Sequence, residues 1–271
     1  RLSLLSVLSG LVGYAVAPGG GNWITFLGAC AGMALAAGSA ATLNQCMEHR
    51  RDALMLRTQD RPIPSGKISL AGAMVFGTAI GIAGLLILYI AVNPLATFLT
   101  ALTLLTYLLV YTPSKSITPW CTAIGTIPGA LPPMIGWAAS QGRLDPGAWL
   151  LFLVMVAWQI PHFMAIAWTY RDDYARAEMP MISVVDSSGR TAALQSLLFT
   201  ILLVAACMGI VWIGLGDITF GAVSGALGVW MLVLCVRFLS APDRERDAKR
   251  LFHFTLIYLP VVFGILVIDV N

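Results

Sequence analysis

Nine apolar stretches take up most of this chain, at about residues 2–17, 22–43, 68–91, 94–111, 119–138, 148–168, 191–213, 218–238 and 251–269. A helix needs about 20 apolar residues to cross the hydrocarbon of a bilayer. Short turns such as "APGGGN", "VNP" and "GLGD" separate some of the stretches, and longer charged segments separate the others. Composition agrees with a lipid environment. Hydrophobic residues make up 58% of the chain, charged residues 11%, and the mean hydropathy is +0.84. A water-soluble domain carries roughly 25% charged residues. The expected fold class is therefore all-α: a polytopic membrane protein with nine transmembrane helices in one bundle, a single domain over residues 1–271.

Sidedness follows from the basic residues. Arg50, Arg51, Arg57, Arg61 and Lys67 follow the second stretch, and Lys115 follows the fourth. Arg171, Arg176 and Arg190 follow the sixth, while Arg237, Arg244, Arg246, Lys249 and Arg250 close or follow the eighth. With Arg1, all of these fall on one side of the nine-span map, and only Arg143 falls on the other. The positive-inside rule places that side in the cytoplasm and the C-terminus outside. The chain begins with arginine, so the true N-terminus is expected further upstream, and no signal peptide is visible. Five cysteines lie far apart without a CxxC spacing, which points to apolar filler, not to a disulfide framework or zinc site.

Two segments on the basic side also carry carboxylates, at about 44–67 and 169–190. In "NQCMEHRRD", Asn44, Glu48 and Asp52 are spaced i, i+4, i+8. On a helix they stay within about 80° of one another and rise roughly 12 Å. An amide and two carboxylates on one face suit Mg²⁺, which takes one or two carboxylates, waters and substrate phosphates. Arg51, Arg57, Arg61 and Lys67 surround the set, as a polyphosphate site requires. The alternative is a solvated loop whose charges pair with one another and with lipid headgroups.

The second segment, "WQIPHFMAIAWTYRDDYARAEMPMISV", places His162 inside the sixth stretch, where an ionisable residue raises a functional hypothesis. On a straight helix His162 and Asp173 return to nearly the same face roughly 16 Å apart, and Pro161 predicts a kink between stretches of that helix. Asp172, Asp173 and Glu178 provide further carboxylates, and Tyr170 and Tyr174 share a face. The plain readings are a packed histidine and an Asp172–Arg176 ion pair. The two acidic segments lie four helices apart, which suggests a 4+4 internal repeat plus a ninth helix. Such repeats often hold a site between the halves.

The patterns "RTQDRPIPSG", "YTPSK", "GTIPGALPPMIGW", "WQIPHF" and "YRDDYARAEMPM" resemble the heme O synthase (protoheme IX farnesyltransferase) branch of the UbiA-like intramembrane prenyltransferases. The resemblance runs over essentially the whole chain. It implies Mg²⁺-dependent transfer of the farnesyl group of farnesyl diphosphate to a vinyl group of heme B. It implies that Asn44, Glu48, Asp52, Asp172 and Asp173 serve the metal and the reaction. Arg57, Arg61, Lys67, Tyr111, Lys115 and Arg171 would bind diphosphate, and His162 and His253 are candidate heme contacts. Partners would be the two substrates, membrane lipid, and heme A synthase or a terminal oxidase, with no nucleic acid. The implied location is the inner (cytoplasmic) membrane, with the active site on the cytoplasmic side. The chain departs from the family pattern at Arg50, Ser116, Cys121 and Glu178, where members commonly carry an acidic residue, a basic residue, asparagine and glycine. Two other functions stay open: the same chemistry on a quinone-precursor ring or a chlorin, and a transporter without catalysis. Both acidic segments lie at one membrane surface, which argues against alternating access through a midplane site.

Overall fold

The computed structural model describes residues 2–19, 22–240 and 243–270, and every regular element among them is helical. Arg1, counted above with the basic side, and Gly20 and Gly21 of the first turn lie outside the described residues. The long elements are α1 (Leu2–Val16), α2 (Trp23–Asp52), α3 (Leu70–Ala91) and α4 (Pro94–Leu105). A π-helical turn, Thr106–Tyr111, joins α4 to α5 (Thr112–Ser114). Then come α6 (Cys121–Gln141), α7 (Pro146–Thr169), α8 (Arg171–Arg176), α9 (Ile182–Val185), α10 (Arg190–Trp212), α11 (Ile218–Ser240) and α12 (Arg244–Val270).

Among the described residues, seven helical units are long and apolar enough to span a membrane: α2, α3, Pro94–Ser114, α7, α10, α11 and α12. The chain is an integral membrane protein. Of the nine expected stretches, the first is the shorter apolar helix α1. The fifth is α6, whose Thr122, Thr126, Gly136 and Ser140 lower its hydropathy. Most of α6 is buried against other helices, so its side chains are selected for packing and not for contact with lipid. The outer surface has the opposite character. Trp23, Ile90, Trp212 and Ile218 are each at least 77% exposed, as the lipid-facing positions of a bundle should be.

Local chemistry sets the helix ends. Asn22, Ser69 and Asn93 cap α2, α3 and α4 by accepting from Thr25, Gly72 and Ala96 N–H. Asn93 also donates to the Ala138 carbonyl at 2.7 Å, tying α4 to α6. Gly142, at φ +68°, ends α6 in the left-handed region that favours glycine. Helices α1 and α6 touch backbone to backbone: a Cβ on Gly136 would lie 1.7 Å from the Gly10 carbonyl oxygen. Small residues permit the close crossings of membrane bundles in this way. The second acidic segment is not one continued helix. α7 runs through Pro161 to Thr169, breaks at Tyr170 (φ −110°, ψ 24°), and resumes as α8.

Candidate active site

Helix α2 does not stop where its apolar stretch ends at residue 43. It continues to Asp52 and carries Asn44, Glu48 and Asp52, all buried, along one face. Each has a specific tie. Asn44 Nδ2 donates to Glu48 Oε2 at 3.0 Å. Lys115 Nζ donates to the same Glu48 oxygen at 2.8 Å and lies 3.4 Å from Asn44 Oδ1. The Thr112 hydroxyl donates to Asn44 Oδ1 at 2.9 Å. Arg61 Nη1 pairs with Asp52 Oδ2 at 2.7 Å. The chain folds back after α2 to bring Arg61 there, and Thr58 Oγ1 secures the bend on the Asp52 carbonyl.

The wall opposite α2 is built by the π-helical turn. Pro113 has no N–H, and in a regular helix its ring would press on the carbonyl four residues before it. The turn widens ahead of it, and Thr112 N–H reaches the Tyr107 carbonyl five residues back. Such wide turns recur at functional sites. This one presents Tyr107 and Tyr111 together, ring centroids 5.4 Å apart, with Lys115 Nζ 4.6 Å above the Tyr111 ring. Gly125 leaves room for that tyrosine, because a Cβ there would sit 2.5 Å from Tyr111 Cε2.

These side chains rim a cavity of about 430 Å³. At one end it meets Asn44, Glu48, Asp52, Arg57, Arg61 and Lys115. At the other it is apolar, walled by Leu5, Met33, Ala36, Leu104, Ile135 and Met155. His162, Gln159 and Trp158 of α7 lie along its side. Arg57 closes over the polar end. Its guanidinium lies 5.1 Å from the Tyr170 ring and 5.0 Å from the Tyr174 ring, and donates to the Tyr174 hydroxyl at 2.9 Å. The shared face of the two tyrosines thus grips a residue from the other acidic segment.

Several expected residues lie elsewhere. Asp172 and Asp173 do not reach the cavity wall. The Asp172 side chain is 83% exposed, because α8 starts afresh after the break at Tyr170 and turns that position outward. Asp173 is buried, but it accepts from Leu56 N–H at 3.3 Å and pairs with Arg176, so the plain alternative of an Asp172–Arg176 ion pair does not form. It clamps the two acidic segments together. Arg171 is also spent on structure, stacking on Trp168 at 4.9 Å and reaching Glu245 at 3.7 Å. Lys67 and His253 are exposed and apart from the cavity, as are Arg50 and Glu178. Glu178 adopts φ +54°, so the backbone at this position has the geometry glycine prefers. Tyr107, Thr112, Gln159 and Tyr174 belong to the site, and sequence reasoning did not assign them. The nearest signal was proline: Pro113 explains the turn that presents Tyr107.

The donor set suits a divalent cation. Glu48 Oε1 is buried without a hydrogen-bond partner, beside a second carboxylate and an amide on the same helix face. No three His, Cys, Asp or Glu side chains converge into a ready-made cage among the described residues. Mg²⁺ needs none, since it keeps waters and shares substrate phosphates.

A sequence profile of the UbiA prenyltransferase family matches residues 6–257. The chain belongs to the UbiA prenyltransferase family. It is 45% identical to a protoheme IX farnesyltransferase of Opitutus terrae, over 99% of this chain and 91% of that one. It is 37% identical to a protoheme IX farnesyltransferase of Solibacter usitatus, over 99% and 95%. Solved structures share the fold of this UbiA-family chain. A UbiA homolog from Aeropyrum pernix superposes with a TM-score of 0.75 at 20% identity, covering 98% of this chain and 96% of that one. A UbiA homolog from Archaeoglobus fulgidus bound to GPP and Mg²⁺ gives 0.65 at 15%, covering 98% and 97%.

Proposed function

We infer that this chain makes heme O. It transfers the farnesyl group of farnesyl diphosphate to a vinyl group of heme B, as the names of its relatives indicate for those proteins. The observation that carries the reading on this molecule is the two-ended cavity. A carboxylate and cation rim opens into an apolar chamber, the shape required by a substrate with a charged head and a lipid tail joined to an amphiphilic acceptor.

In this reading the diphosphate lies at the rim, with Mg²⁺ held by Asn44, Glu48 and Asp52. The relative bound to GPP and Mg²⁺ supports the pairing of metal and diphosphate. When bound, the cation neutralises charge on the diphosphate oxygens as they depart. Lys115, Arg61, Arg57 and Tyr111 donate to the same oxygens. Lys115 and Arg61 are held for this role by Glu48 and Asp52, which fix their positions before substrate arrives. As the farnesyl C1–O bond breaks, the vinyl carbon bonds to C1. Water then adds to the adjacent carbon, and its proton leaves with the diphosphate. The apolar walls keep other water from the allylic cation until the new C–C bond forms. Asp173 acts at a distance, holding Leu56 and so the Arg57 loop in place. Asp172, Lys67, Arg171 and His253 have no contact role in this arrangement.

We place α1 and α6 with the seven apolar units in a bundle of nine, forming one domain over the chain. The neighbouring pairs α2–α3 and α7–α10 support a four-helix repeat, with α12 as the ninth. The basic residues at the rim favour an active site on the cytoplasmic side of the membrane, which in this reading is the inner membrane. A heme A synthase or an oxidase would receive the product there. The test is incubation of the purified protein with heme B, farnesyl diphosphate and Mg²⁺, resolving hemes by chromatography and mass. A later-eluting heme with the mass of heme O, absent with EDTA or without diphosphate, is expected. Unchanged heme B with folded, diphosphate-binding protein would refute the choice of acceptor.

A further inference from the structure

One buried histidine is oriented by the helix packed beside it, α12. His162 is 3% exposed and stacks on Trp158, with ring centroids 4.7 Å apart and planes 19° apart. Thr255 of α12, wholly buried, holds both residues. Its carbonyl accepts from Trp158 Nε1 at 2.9 Å, and its hydroxyl oxygen lies 2.8 Å from His162 Nδ1.

The hydroxyl decides the tautomer. It has one proton, and it gives that proton to the Phe252 carbonyl at 2.6 Å. Towards His162 it therefore presents only a lone pair, and Nδ1 must donate. The other nitrogen, Nε2, forms no hydrogen bond among the described residues, and no carboxylate there bonds to the ring. Nε2 is not sealed in protein either: it is not among the buried atoms left without a partner, and His162 lines the cavity. A neutral imidazole with Nδ1–H bonded inward leaves the Nε2 lone pair facing the cavity. Histidine bound to a metal is commonly oriented in this way, with its other nitrogen donating to an outer partner.

We propose that Thr255 is a positioning residue that fixes His162 as its Nδ1–H tautomer, so that Nε2 is the axial ligand to the iron of the acceptor heme. The proposal rests on heme being the acceptor. It adds that the porphyrin is held by its metal, which sets the ring, and hence one vinyl edge, relative to the rim. Trp158 and Phe252 buttress the imidazole, so the ligand does not swing with the substrate.

The test is titration of the purified full chain with heme B, followed by its Soret absorption. His162→Ala should raise the dissociation constant about tenfold or more and shift the Soret band, and free imidazole should restore the original spectrum. Loss of an outer partner of a metal-bound histidine typically weakens binding about 10–100-fold. Thr255→Val, which keeps shape but removes the acceptor, should fall in that range with an altered spectrum, whereas Thr255→Ser should retain the original one. A purely structural role for Thr255 would lower stability without moving the spectrum. Binding of inorganic diphosphate at the charged rim, which His162 does not form, reports folding of each variant. Should the variants not fold, resonance Raman of ferrous heme in the unmodified protein decides: an iron–histidine stretch is expected, and its absence overturns the proposal. A His162→Ala spectrum and affinity equal to the unmodified protein's would also overturn it. If the unmodified protein still makes heme O in that case, only this inference falls. If it binds no heme and prenylates another ring, the functional reading falls as well.

Discussion

Glu48→Gln separates a metal ligand from a mere partner of Lys115. The substitution keeps shape and removes one negative charge from a pair with a 2.8 Å contact and side chains 6% and 16% exposed. Breaking a buried pair by removing one partner typically costs about 3–5 kcal/mol. Lys115 keeps Asn44 Oδ1 at 3.4 Å and the Tyr111 ring at 4.6 Å, and it borders an open cavity. The cost here should therefore be about 1–3 kcal/mol. Turnover should fall further. Removing one group that stabilises developing charge costs about 10²–10³ in kcat, or roughly 2.7–4 kcal/mol. The assay is conversion of heme B at saturating farnesyl diphosphate across a range of Mg²⁺ concentrations, with thermal unfolding measured alongside. A metal ligand's loss moves the half-saturating Mg²⁺ concentration upward by about tenfold or more. If Glu48 serves only to hold Lys115, Glu48→Gln and Lys115→Met will share one defect, with Mg²⁺ dependence unmoved. Turnover within threefold of the unmodified protein would remove Glu48 from the site altogether.

Two aspartates, one from each acidic segment, should behave differently. Asp172→Asn should leave turnover within about twofold, whereas Asp52→Asn should lower it about 10² or more; equal effects in the same heme assay would contradict the placement of these side chains. Arg57→Ala removes two ring contacts worth about 0.5–1 kcal/mol each. It should raise KM for farnesyl diphosphate and quicken proteolysis of the 53–68 loop, and an unchanged digestion rate would show that the tyrosine grip does not order it. Gly125→Ala places a methyl group against Tyr111 and should cost about 1–3 kcal/mol with reduced turnover. Unfolding and heme conversion of one sample test both halves of that expectation. Glu178→Gly relieves a left-handed backbone and should raise stability by about 1 kcal/mol, measurable as a higher unfolding temperature with unchanged activity.

What could be read along the chain was what depends on near neighbours in sequence. Apolar length located the helices, and helical periodicity placed Asn44, Glu48 and Asp52 on one buried face. The same rule aligned Tyr170 with Tyr174, which the structure joins over one guanidinium. Asp172 and Asp173 defeated that reasoning because the helix breaks at Tyr170, where neither proline nor glycine marks the chain. Their side chains then point by the frame of a new, short helix, one outward and one into the Leu56 loop. Contacts between distant positions required the bundle itself. Lys115 meets Glu48 across 67 residues, Arg57 meets Tyr174 across 117, and Thr255 meets His162 across 93. No local preference encodes such meetings. They arise when lipid leaves each helix to satisfy its own backbone, so that the remaining polar side chains find partners only where helices pack together.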